Sequence, residues 1–134
     1  MMEVVCAMII NEKSQIFAAR RAPGKSFEGY WEFPGGKIES NEEPASALAR
    51  ELREELGVNL VIGQSVHAVE WENKSGRFRL EAFVVHSELS DLMLQDHDEW
   101  AWFEVDDLLE LEMMIADLAL LPYLERYLKG LISD

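Results

Sequence analysis

Residues 4–10 read Val-Val-Cys-Ala-Met-Ile-Ile, an apolar run without the alternation of a strand that has one wet face. Such a strand is covered on both sides, so the chain must place a packed layer above and below a sheet. With 134 residues it is long enough to do so, burying roughly two thirds of its unfolded surface without disulfides. Cys6, the only cysteine, lies inside the run and reads as a small buried hydrophobe in a reduced compartment. Glu3 stands where a signal peptide would be basic, and nothing approaches the ~18 apolar residues of a membrane span. The expected location is cytoplasmic.

The remaining segments supply the layers. After a turn at Asn11–Ser14, residues 15–20 read as a short strand. The stretch that follows, with Pro23, Gly24, Gly29, Pro34, Gly35 and Gly36, is too rich in breakers for regular structure. Residues 44–56 read as a helix, with Pro44 at its first position, Gly57 just past its end, and a stripe of Ala45, Leu48, Ala49, Leu52 and Leu56. Strands are expected near 59–72 and 77–86, the second with Phe78, Leu80, Ala82 and Val84 on one face. A last strand is expected around Trp100–Val105, then a helix with Leu121, Leu124, Leu128 and Leu131 on its core side. Strands interleaved with two main helices indicate one α/β domain over residues 1–134, a sandwich around a mixed sheet.

Charge narrows the function. Asp and Glu number 26 against 12 Lys and Arg, a net −14. This argues against nucleic acid polymers and anionic membranes as partners, because both are held by clustered Lys and Arg. Phosphate can approach such a protein only with a cation between it and the carboxylates.

The stretch from Gly36 to Val58, GKIESNEEPASALARELREELGV, carries the chemistry. On the expected helix Glu51, Glu54 and Glu55 stand at i, i+3 and i+4, so their carboxylates share a side. A solvated acidic face is the plain interpretation, with Arg50 pairing with Glu54 one turn on. The alternative is a hard-oxygen site suited to Mg²⁺. The Gly35-Gly36 pair lets backbone approach it closely, and Lys37 adds a point positive charge.

Gly36, Glu42, Arg50-Glu51-Leu52, Glu54-Glu55 and Gly57-Val58 match every fixed position of the Nudix box. The chain therefore resembles a Nudix hydrolase, a family that cleaves nucleoside diphosphates linked to another group with Mg²⁺ or Mn²⁺. Arg20-Arg21, the run Trp31–Lys37, Asp98-Glu99-Trp100 and Ala116-Asp117 resemble its MutT-type, CTP-pyrophosphohydrolase-like branch. The resemblance implies a Nudix fold, an α/β/α sandwich with a mixed β-sheet. It implies that Glu51, Glu54, Glu55, the Gly35 carbonyl and Glu99 hold the metal, with Glu99 in the loop before the last strand. Glu51 is the leading general base, with Glu54 and Glu99 as alternatives.

Glu42 and Arg50 resemble residues that orient the loop and the catalytic glutamates. Arg21, Arg77, Lys37, Phe33 and Asp117 resemble nucleotide contacts; against this, the arginines could be solvated strand ends and Phe33 core packing. His67, His86 and His97 share no metal-ligand spacing, which argues against zinc and leaves His97 an accessory role beside Glu99. Asp117 stands where the branch reads the base, and an ionised carboxylate accepts from the N4 amino group of cytosine. A helix cap is the competing role. Some Nudix branches carry a Pro or Tyr beyond the box, and residues 72–75 here have neither.

The implied activity is conversion of (d)NTP and water to (d)NMP and pyrophosphate, with cytosine nucleotides favoured and 8-oxo-dGTP as the alternative. A non-catalytic Nudix module that senses a ligand is the rival of another class. The expected partner is a small nucleotide, and the chain is expected to be a monomer or homodimer.

Overall fold

The computed structural model describes residues 1–130. At its centre β1 (Met2–Ile10) lies parallel to β6 (Gly76–His86), in register from Met2 opposite Phe78 to Ile10 opposite His86. The edge strand β5 (Ser65–Asn73) pairs antiparallel with β6. On the other side of β1, Ile10 meets Ile16 of β2 (Ile16–Arg21), while residues 4–6 pair antiparallel with β4 (Gly35–Lys37). Strand β2 also pairs antiparallel with β3 (Trp31–Glu32) and β7 (His97–Phe103), completing a seven-stranded mixed sheet. Where β1 parts from β2 to pair with β4, residues 31–37 run across a split in the sheet.

The two layers foretold by residues 4–10 are both present. Val5, Ala7 and Ile9 pack with Phe17 and Ala19 against Leu48, Leu52 and Leu56 of α1 (Pro44–Leu56). Cys6, Met8 and Ile10 pack with Leu80, Ala82 and Val84 against Leu120, Leu121 and Leu124 of α3 (Ile115–Leu128). Each large side chain fully buried this way contributes roughly 1.5–3 kcal/mol. A short helix, α2 (Val105–Leu108), links β7 towards α3. Among the described residues no helix is long and apolar enough to cross a membrane. The α/β/α sandwich is borne out.

Several boundaries differ from expectation. The breaker-rich stretch contains β3 and β4, because neighbouring β2 and β1 supply hydrogen-bonding edges that local propensity does not reveal. Strand β7 starts at His97, before the expected Trp100, and β5 starts at Ser65 instead of near 59. On α1 the buried positions are Ala47, Leu48, Leu52, Glu55 and Leu56, while Ala45 is exposed. Gly57 adopts the left-handed conformation (φ 72°), and its N–H closes the helix on the Arg53 carbonyl. Pro122 lies inside α3, which begins two residues before Asp117. Leu131 lies outside the described residues.

Candidate active site

Two glycines bring strand and helix together. A Cβ on Gly35 would stand 2.0 Å from the Val5 carbonyl oxygen, and one on Gly36 would stand 2.1 Å from Glu51 Oε2. Any side chain at 35 would push against β1, whereas one at 36 would displace the Glu51 carboxylate. The Gly35 N–H donates to Glu55 Oε1 at 3.0 Å. Thus β4 lies directly against the acidic side of α1.

Arg50 organises that side with its planar fork of donors. Nε and Nη2 reach the Glu42 carboxylate at 2.7 and 3.0 Å, and Nη2 also reaches the Lys37 carbonyl at 3.0 Å. Nη1 donates to Glu51 at 3.0 Å and to Glu54 at 3.3 Å. The expected pairing with Glu54 is present, but Glu42 is the tighter partner. Glu42 in turn accepts the Glu39 N–H at 2.9 Å, tying down the loop before α1. Hydrogen bonding from Arg50 holds the Glu42 carboxyl below its ordinary pKa.

The three helix glutamates are graded in burial. The Glu54 side chain is 60% exposed, Glu51 is half-buried, and Glu55 is only 7% exposed. Burial raises the Glu51 pKa, opposed by the hydrogen bond from Arg50. Burial and the neighbouring Glu32, Glu51 and Asp96 charges push Glu55 up to about 8, opposed only by the Gly35 N–H. Glu55 thus sits in a partly enclosed place with surplus negative charge and, among the described residues, no side-chain cation bonded to it. That donor set, carboxylates of differing exposure around a glycine backbone, fits a hard divalent cation.

Beyond this cluster lies a group that the sequence reading did not single out. Glu32 Oε2 accepts from Arg21 Nη1 at 3.0 Å and pairs with His97 Nε2 at 2.8 Å. Ligand atoms of Glu32, Glu55 and His97 lie within 4.8 Å of one another. This could hold a cation, although Arg21 and His97 already occupy the Glu32 oxygen. The signal in the sequence was a lone acid between Trp31 and Phe33, which has no meaning until β2 and β7 bring Arg21 and His97 beside it.

Asp117 does not cap α3; the N-cap position is Met114. Its carboxylate reaches back to the Phe33 N–H at 2.9 Å, and its side chain is buried. Burial, reinforced by the charge of Glu32, pushes its pKa up to about 8. Phe33 is itself buried, with residues of the α3-side core. The structure therefore links Asp117, Phe33, Glu32, Arg21 and Glu55 through the short segment 32–35.

Other expected site residues lie apart. Glu99 is in β7, not in a loop before it, and pairs across the sheet with Arg20. The next residue, Trp100, packs its ring on Phe17 of the α1-side core, so alternation turns Glu99 to the opposite face. There it meets Arg20 Nη2 at 3.6 Å, away from the box glutamates. Asp96, just before β7, is the acid from this segment whose charge acts on Glu55, and it pairs with Lys25 at 3.0 Å. Arg77 sits at the β5–β6 turn opposite Glu72 and is exposed. Lys37 contributes its carbonyl to Arg50; its side chain is exposed.

Known proteins resemble this chain over most of its length. A family profile described as the NUDIX domain matches residues 2–124. The CTP pyrophosphohydrolase of Escherichia coli (strain K12) is 36% identical over 121 residues, covering 90% of this chain and 89% of that protein. An 8-oxo-dGTP diphosphatase of Proteus vulgaris is 41% identical over 84 residues, 63% of this chain and 75% of its own. The solution structure of the E. coli ORF135 protein superposes with a TM-score of 0.87 at 32% identity, covering 99% of this chain and 94% of that one. Box, fold and relatives converge, and the chain belongs to the Nudix hydrolase family.

Proposed function

We propose that this Nudix hydrolase converts nucleoside triphosphates and water to nucleoside monophosphates and pyrophosphate, favouring cytosine nucleotides. The carrying observation is the single backbone segment 32–35, which bonds to Glu55 at one end and to Asp117 at the other. It joins an acidic, cation-fitting site to a buried polar group suited to reading a base.

Nudix hydrolases typically use divalent metals. In this reading Glu51, Glu54 and Glu55 hold the ion, Mg²⁺ or Mn²⁺, with the Gly35 carbonyl, and Asp96 supplies the outlying acid in place of Glu99. A bound divalent cation supplies charge neutralisation on the phosphate oxygens and acidifies the attacking water. Glu51 takes the proton from that water: burial makes it more basic than an ordinary carboxylate, and Arg50 fixes its direction. Glu54 also faces Arg50 but stands in solvent. Arg21 faces the nucleotide, Asp117 and Phe33 frame the base, and Glu42 acts through Arg50.

Asp117 refines the choice of base. Its raised pKa keeps it protonated at neutral pH, so it offers a hydroxyl donor beside an acceptor. Cytosine presents the complementary pair, the N3 acceptor and the N4 amino donor. An 8-oxoguanine ring also presents an adjacent donor and acceptor, N7–H and O6, which favours 8-oxo-dGTP as the second reading. The relatives named for CTP and for 8-oxo-dGTP support the same two candidates.

The test is a screen of ordinary, 5-methylated and oxidised nucleotides at dilute substrate, with products separated. Release of pyrophosphate with highest kcat/KM for CTP, dCTP or a 5-methylated form is expected. A ligand-sensing module would bind a nucleotide and release nothing. Reaction in ¹⁸O-water should label pyrophosphate, reporting attack at the β-phosphorus; label in the monophosphate would contradict that step.

A further inference from the structure

His97 is fully buried at its side chain, yet its Nδ1 atom has no hydrogen-bond partner among the described residues. Leaving a buried polar atom unmatched costs ~1–3 kcal/mol, so an apolar residue would fill this place at lower cost if packing were its only task. What the imidazole supplies is Nε2–H, 2.8 Å from Glu32 Oε2. The sheet is shaped to deliver it. A register shift in the β2–β7 ladder between Arg20 and Arg21 sets His97 opposite Arg21 and leaves Asp98 as the extra residue. Asp98 is held by a two-pronged bond from Arg20, with both contacts at 3.0 Å.

Glu32, gripped by His97, is in turn the acceptor for Arg21 Nη1. Arg21 Nε donates to the Ser26 carbonyl. Both ends of the guanidinium plane are therefore fixed, with Nη2 uncommitted among the described residues. We infer that His97 is a positioning residue: by holding Glu32 it fixes the direction in which Arg21 meets the nucleotide. This rests on the reading above that Arg21 is a nucleotide contact.

Steady-state kinetics of the full chain with Mg²⁺ and its best triphosphate test the inference. His97→Leu should raise KM tenfold or more while kcat stays within threefold. His97→Gln, which keeps an N–H donor of similar reach, should return KM to within threefold of wild type. In an Arg21→Ala background His97→Leu should add less than a further twofold, since the residue it acts through is gone. Glu32→Leu, which removes the acceptor shared by His97 and Arg21, provides the same cycle if His97→Leu does not fold. Full additivity with Arg21→Ala would overturn the role, as would a kcat defect at unchanged KM or no rescue by Gln in a protein of wild-type Tm. A wild type that turns over no triphosphate contradicts the functional reading as well, which separates the two failures.

Discussion

The Asp117 carboxylate accepts the Phe33 N–H at 2.9 Å, joining α3 to the strand segment that also carries Glu32 and Gly35 across 84 residues of sequence. Helix α3 is therefore anchored to that segment by the group proposed to read the base.

Asp117→Asn keeps an acceptor for Phe33 N–H and puts an N–H donor where the protonated acid has its hydroxyl, so it should leave both Tm and the ranking of nucleotides nearly unchanged. Asp117→Val removes both groups and should alter that ranking by about tenfold or more, as a mispaired buried contact worth ~1–3 kcal/mol would. The check is kcat/KM for CTP, dCTP, 5-methyl-dCTP and 8-oxo-dGTP in wild type and both variants. An unchanged ranking with a lowered Tm in Asp117→Val would make Asp117 a purely structural anchor.

Gly35 and Gly36 should separate stability from activity. Gly35→Ala drives a methyl into the backbone of β1, and overpacking of this kind costs ~1–3 kcal/mol or more. Gly36→Ala meets the Glu51 carboxylate instead, the end of a side chain that can move. We expect Gly35→Ala to lower Tm markedly, and Gly36→Ala to reduce kcat far more than Tm. Thermal melts and turnover on both variants decide the matter.

The helix glutamates were legible because sequence spacing alone puts Glu51, Glu54 and Glu55 on one side of a helix capped by Pro44 and Gly57. Their graded burial was not, since Glu55 is covered by β4, which pairs with a strand some thirty residues earlier. The placement of Glu99 within a strand was not legible for a related reason. Its neighbour Trp100 packs on Phe17, and this long-range contact decides which face of β7 each residue takes. Glu32 and His97 acquire meaning only through the β2–β3 and β2–β7 pairings. Asp117 was legible as a polar residue near the last helix, but that it bonds to Phe33 instead of capping α3 was not.

Metal-free stability should fall as pH rises. Glu55 and Asp117 each titrate at about 8 in the folded protein, against ~4 in an unfolded chain. Between these values the folded state binds more protons, so the stability they contribute is full below pH ~4 and is lost as pH rises through about 8. In EDTA, Tm should drop by roughly 5 °C or more from pH 5 to pH 8. Glu55→Gln and Asp117→Asn should each flatten that slope, separating it from general repulsion in a −14 protein. A wild-type Tm that is flat or rises over this range contradicts the burial of both acids.

The decisive measurement is pyrophosphate release from CTP by wild type, Glu51→Gln and Glu55→Gln, each with Mg²⁺ and with EDTA, alongside Tm. Turnover in the wild type with Mg²⁺ alone is expected, with kcat reduced at least a hundredfold in both variants, roughly 2.7 kcal/mol of transition-state stabilisation. The metal-free Tm of Glu55→Gln should equal or exceed that of wild type, because the substitution removes a buried acid repelled by its neighbours. Wild-type turnover in EDTA, or full activity in both variants, would contradict a reaction built on these carboxylates.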